Sequence, residues 1–195
     1  MKTGIILLAA GSSSRLGRPK QLVELGGKTL IQNAIEEAKK CQADSMVVVL
    51  GWNPDLIQTG FESKNVNVVF NKSWEEGMAS SMQTGLKFLI ENSQTDQVIL
   101  MLCDQPFVDA VLLNRLIEEK ESSGKGIIAC SYSETMGVPA LFDASYFNEL
   151  LSLKGSEGAK KVIFNHSEDV LALDFPEGSI DLDTEDDLKK IKNLK

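Results

Sequence analysis

Short apolar runs alternate along this chain with longer stretches whose apolar residues recur at helical spacing. Ile5 to Ala9 comes first, then Leu30, Ile31, Ala34, Ile35 and Ala38, then Met46 to Leu50. The outer two have the length and uniform hydrophobicity of strands buried on both faces. The middle one has the three-and-four spacing of an amphipathic helix, so the unit reads as βαβ. Thr29 and Gln32 carry the signature of a capping box at the start of that helix, and Gly51 closes the strand ending at Leu50. The alternation continues with a strand over Val66 to Phe70, a helix face of Met78, Met82, Leu86 and Leu89, and a strand over Val98 to Leu102. Leu112, Leu113, Leu116 and Ile117 mark a further helix. From Gly126 to Asp174 short strands mix with helical stretches over Ser145 to Leu153 and Ser156 to Phe164, before a last helix from Thr184 to Leu194.

Strands that are apolar throughout need cover on both faces, which predicts a three-layer α/β/α, Rossmann-like fold with a mostly parallel sheet. With no linker, repeat or low-complexity tract, residues 1–195 read as one domain. In such sheets ligands gather beyond the carboxyl ends of the strands. The loop opening at Gly11 and the residue Asp104 both directly follow strands, so they are expected to share one cleft.

Composition narrows the partners. Twenty basic against twenty-eight acidic side chains give a net charge of -8, which opposes the counterion-release attraction of nucleic-acid binders. No apolar segment approaches membrane-spanning length, and the run before Gly11 is too short for a secretory signal. Cys41, Cys103 and Cys130 lack CxxC spacing, which fits a reducing, cytoplasmic setting rather than a disulfide framework or thiolate zinc site. His166 is the only histidine and lies in the polar stretch Asn165 to Asp169, so histidine-based catalysis is not expected.

The candidate chemistry begins at the first loop. Gly11 and Gly17 free the backbone to turn amide groups toward an anion, while Arg15, Arg18 and Lys20 supply positive charge. The order matches neither GxxxxGK[ST] nor GxGxxG. Asp104, in Cys103-Asp104-Gln105-Pro106, suits a magnesium ligand, an ion that takes one or two carboxylates beside phosphate oxygens; a cap or a turn is the lesser alternative. Asp181 and Asp183 could complete that metal site, or the acidic run from Asp181 to Asp187 could simply start the last helix, with Thr184 and Asp187 as its capping box. In Asn71 to Ser81 a strand gives way to a helix, where free amides and serine hydroxyls can hold a base or phosphate, and Trp74 is either a ligand wall or a core residue. Gly137-Val138-Pro139 punctuates another strand that could approach a ligand closely.

The loop reads Leu8-Ala9-Ala10-Gly11-x-Ser13-x-Arg15-x-Gly17-x-x-Lys20, which resembles the LAAGxSxRxGxxK signature of nucleotidyltransferases that activate sugars, isoprenoid precursors and molybdopterin. Together with Asn71-x-x-Trp74-x-x-Gly77-x-x-Ser80-Ser81, Cys103-Asp104-Gln105-Pro106, Gly137-x-Pro139, Gly155-x-x-Gly158-Ala159 and Asp181-x-Asp183-Thr184, it resembles the molybdenum cofactor cytidylyltransferase family of the MobA-like superfamily. That resemblance implies transfer of CMP from CTP to the terminal phosphate of molybdopterin, releasing pyrophosphate. It implies Leu8, Ala9, Ala10, Gly11, Ser13, Arg15, Lys20, Asn71, Gly77, Ser80 and Ser81 as nucleotide-binding residues, Arg15, Lys20 and Asp104 as catalytic residues, and Asp104 with Asp183 as ligands of Mg2+. Arg15 would hold the β- and γ-phosphates and Lys20 the α-phosphate. Guanylyltransferase relatives usually carry Leu-Ala-Gly-Gly, so Ala10 favours CTP. A transient contact with a molybdenum hydroxylase of the xanthine dehydrogenase type also follows from the resemblance. The chain departs from its relatives in lacking a proline near Glu24 and another at Glu185, which weakens the match where pterin recognition would fall, Glu24 to Lys28. The alternatives are guanylyl or cytidylyl transfer to a sugar phosphate or isoprenoid phosphate, and a non-catalytic molybdenum cofactor chaperone.

Overall fold

The computed structural model describes residues 1–13, 16–64, 66–182, 187 and 191. The predicted runs become β1 (Thr3–Ala9), β4 (Ser45–Leu50), β5 (Asn67–Phe70) and β6 (Gln97–Leu102), with a small antiparallel ribbon of β2 (Glu24–Leu25) and β3 (Lys28–Thr29) after the first loop. The predicted helices are α1 (Leu30–Lys40), α3 (Met78–Ser93) and α4 (Ala110–Ser123), and a short α2 (Pro54–Gln58) follows β4. The rest of the chain adds β7 (Ile127–Tyr132), β8 (Thr135–Asp143), α5 (Phe147–Ser152), α6 (Lys160–Asn165) and β9 (Val170–Asp174). Seven strands form one sheet in the order β5-β4-β1-β6-β8-β7-β9.

The sheet is mostly parallel, as the apolar runs predict, because every residue of β1 is buried and both faces must be covered. Along β1, Ile5, Leu7 and Ala9 point into one core layer with α1 and α4, whereas Ile6 and Leu8 point into the other with α3, α5 and α6. This two-residue period divides the molecule into three layers. Strand β8 is the exception, antiparallel to both β6 and β7. It returns from β7 through a two-residue turn in which Ser133 and Glu134 both hold positive φ, at 47° and 59°. That geometry fits the twist of a tight hairpin, and the serine and glutamate do not announce it.

Two local expectations need correction. Thr29 does cap α1, accepting from the Gln32 amide at 3.1 Å, but the reciprocal half of the capping box is missing. The Gln32 side chain instead donates to Glu36 and accepts from the Glu62 backbone amide. The helical stretch expected from Ser156 begins only at Lys160: Gly155 holds a φ of 58°, and Gly155 and Gly158 keep the segment a turn. Of the last predicted helix, Asp187 and Ile191 are described and both are helical; its capping residue Thr184 lies outside the described residues. Ile191 and Leu182 join Val23, Leu25 and Leu30 in a small apolar cluster, which anchors the C-terminal segment beside the first loop. Among the described residues no helix is long and apolar enough to cross a membrane.

Candidate active site

After Ala9 the chain leaves the sheet, and a buried side chain gives the loop its shape. Gln21 donates its amide to the carbonyls of Ala9 at 3.0 Å and Gly11 at 2.8 Å, and its own oxygen receives the Ser13 hydroxyl at 3.3 Å. Ser13 in turn accepts from the Lys20 backbone amide at 3.1 Å. Ser13 has a φ of 55°, which L residues seldom adopt, and this set of bonds holds it there. The result is a closed ring of polar contacts that brings Lys20 back toward the end of β1. Gln21 went unnoticed in the sequence; its signal is a polar residue directly ahead of the apolar Leu22-Val23.

Strand β6 ends beside β1, with the Cys103 amide on the Leu8 carbonyl, and Asp104 follows. The Lys20 ammonium pairs with Oδ2 of Asp104. Among the described residues the other carboxylate oxygen, Oδ1, is buried with no hydrogen-bond partner. A buried carboxylate oxygen without a donor is costly, and a cation is what relieves it. The Asp104 carbonyl accepts from the Leu182 amide at 3.1 Å, so the segment carrying Asp181 is tied to the same spot. Among the described residues no cluster of three metal-ligating side chains forms. Arg15 and Asp183 lie outside the described residues. The neighbouring Cys103 thiol is pushed up to about 12 by its burial and by the charge of Asp104, so it stays protonated and unreactive at neutral pH.

The opposite wall comes from the turn before α3. Asn71 is buried and donates to the hydroxyls of Ser80 at 2.8 Å and Ser81 at 2.9 Å, while its oxygen accepts from the Ser73 amide. The Ser80 hydroxyl lies 2.9 Å from the carbonyls of both Ser73 and Gly77. These bonds shape the turn rather than face outward.

Between the walls lies a cavity of about 330 Å³, lined by Leu8, Ala9, Ala10, Gly11, Lys20, Gly77, Ser81 and Asp104 among the expected residues. Ser13, Asn71 and Ser80 are not in the lining and stand behind it as supports. Trp74 lines the cavity, as do four residues the sequence did not single out for the site, Ser12, Gln21, Met78 and Leu102.

The cavity lining brings Lys20 together with the first-loop residues Ala10, Gly11 and Ser12. Residues 5–170 match the MobA-like NTP transferase domain. The chain belongs to this family. The matched region is thus an NTP transferase domain, and the cavity lies where the sheet order places a ligand, at the carboxyl ends of β1 and β6. Rv0371c from Mycobacterium tuberculosis H37Rv is 29% identical, with a TM-score of 0.85 over 99% of this chain and 98% of that one. A second crystal structure of Rv0371c, in complex with manganese, is 26% identical with a TM-score of 0.82, covering 100% of both chains. Molybdopterin-guanine dinucleotide biosynthesis protein A from Archaeoglobus fulgidus, at 19% identity and a TM-score of 0.69 over 98% and 97% of the two chains, shares the fold. The Bifunctional protein GlmU of Francisella tularensis subsp. novicida is 24% identical over 140 residues, 71% of this chain and 30% of its own length. The chain thus spans about a third of the curated relatives it matches.

Proposed function

We propose that this MobA-like transferase moves CMP from CTP to the terminal phosphate of molybdopterin, releasing pyrophosphate and forming the cytosine dinucleotide. The observation that carries the reading is the Lys20–Asp104 pair in the cavity, with a buried Asp104 oxygen beside it that has no partner among the described residues. An acceptor phosphate oxygen attacks the α-phosphorus of CTP; the new P–O bond forms as the bond to the bridging oxygen breaks, and that electron pair leaves with pyrophosphate. The nucleophile is already anionic at neutral pH, so no general base is required, in keeping with a chain whose one histidine is bound to Glu149, outside the cavity lining. Lys20 turns from Asp104 to the α-phosphate oxygens, where charge builds in the transition state, and Arg15 takes the β- and γ-phosphates.

The chemistry of Asp104 fits a hard divalent cation, and Rv0371c holds manganese. In this chain Mg2+ would sit on Asp104 and Asp183, and when bound it neutralises phosphate charge. Ala10 supports CTP over GTP. Ala10 is buried in the cavity lining and packs close to Gly51, where an added methyl would come within 2.9 Å of the Ala10 side chain. The three free, buried thiols accord with a cytoplasmic enzyme that passes its product to a hydroxylase of the xanthine dehydrogenase type.

Pyrophosphate release measured with CTP, GTP and ATP, each with molybdopterin, a sugar phosphate, an isoprenoid phosphate or no acceptor, tests the reading. Release with CTP and molybdopterin is expected. Faster release with GTP or with another acceptor would replace the substrate assignment, and tight molybdopterin binding without release would make the protein a chaperone.

A further inference from the structure

The glycine motifs at Gly137 and Gly155 to Ala159 remain unused by the nucleotide site, yet both adjoin it. β8 pairs with β6 over Ala140–Asp143, the pairing ending at Leu100 with Ala140, so Gly137 to Pro139 lie just beyond the last pair on the side where β6 runs on to Asp104. The Gln105 amide, next in sequence to Asp104, donates to the carbonyls of Val138 and Gly178 at 3.2 Å each. The Tyr132 hydroxyl donates to the same Val138 carbonyl at 3.0 Å. It reaches that carbonyl by crossing Gly137, where a methyl would lie 2.5 Å from the hydroxyl oxygen. The same point is 3.8 Å from Cε of Lys160.

The turn leading into Lys160 closes on the cavity wall. The Gly155 carbonyl accepts from the Ala79 amide at 3.2 Å and lies directly over Gly77, while Gly158 faces the sulfur of Met78. Gly77 and Met78 both line the cavity, so the turn and Lys160 extend its edge toward β8. Charge separates Lys160 from its neighbours. Lys161 is bound to Glu157 at 2.6 Å and Lys20 to Asp104. Lys160 is exposed and makes no ion pair or side-chain hydrogen bond among the described residues.

An acceptor phosphate must approach this end of the sheet against Asp104, Asp181 and a chain of net charge -8. Lys20 is committed to the nucleotide in the mechanism above, so the β8 side needs its own cation. We infer that Lys160 receives the phosphomonoester of the acceptor, holding a non-attacking phosphate oxygen above Gly137. This rests on the proposed nucleotidyl transfer. Tyr132 and Gln105 position the strand beneath it, and Met78 forms the shared lip between the two substrates.

The test is steady-state pyrophosphate release with CTP and molybdopterin varied separately. Lys160→Ala raises the acceptor KM about tenfold, the loss of one charge-assisted contact, and leaves the CTP KM and the thermal midpoint unchanged. Lys160→Arg restores the acceptor KM, and Lys161→Ala changes neither constant. An acceptor KM unmoved by Lys160→Ala, or a rise confined to CTP, overturns the assignment while wild-type turnover keeps the parent reading intact. Absence of transfer by the wild type with any acceptor overturns both.

Discussion

On the β1 side of the cleft, a buried side chain shapes the wall: Gln21 and Ser13 fasten the first loop through four side-chain hydrogen bonds, and Lys20 is delivered against Asp104. On the β8 side the wall is shaped by absence, since Gly137 and Gly77 allow close approach and the nearby cation Lys160 is exposed. The difference follows the demands of the reaction. Charge develops at the α-phosphorus, where donors must be fixed beforehand to contribute, whereas the acceptor phosphate carries its charge in the ground state and needs only to be held.

Breaking the β1 side should cost the most. Lys20→Ala removes the fixed cation and is expected to lower turnover by about 10²–10³, with the fold retained by circular dichroism. Gln21→Leu acts one step back: it leaves two backbone carbonyls and the Ser13 hydroxyl without their partner, which should cost about 1–3 kcal/mol in urea unfolding and raise the CTP KM without moving the acceptor KM. If the acceptor KM rose equally, the two walls would not be separable. Gly137→Ala addresses the β8 side. Its methyl displaces the Tyr132 hydroxyl, with an expected loss of about 1–3 kcal/mol in thermal unfolding and an increase confined to the acceptor KM.

The two sides were also unequally legible. Strands β1, β4 and β6 stand out because burial on both faces removes every polar residue from their middles, and the first loop stands out because glycines and cations rarely follow such a run. Asp104 is marked by being an acid directly after an apolar strand. The direction of β8 was hidden, because its turn places serine and glutamate at positive φ where asparagine and glycine would have signalled a hairpin. The late start of α6 was hidden too, since Ala159, Val162 and Ile163 keep helical spacing through a stretch whose glycines do not let the helix begin earlier. Asn71 and Ser80 show a further limit. Residue type announces hydrogen-bonding capacity, but only the structure shows that capacity satisfied inside the turn.

The claim that the Lys20–Asp104 pair marks the reacting centre is tested most directly by Asp104→Asn, a change that keeps size and removes the charge. At saturating CTP, magnesium and molybdopterin, pyrophosphate release should fall by about 10²–10³ relative to wild type, with an unchanged melting temperature. Release within about twofold of wild type would contradict the account and place the chemistry elsewhere in the cleft.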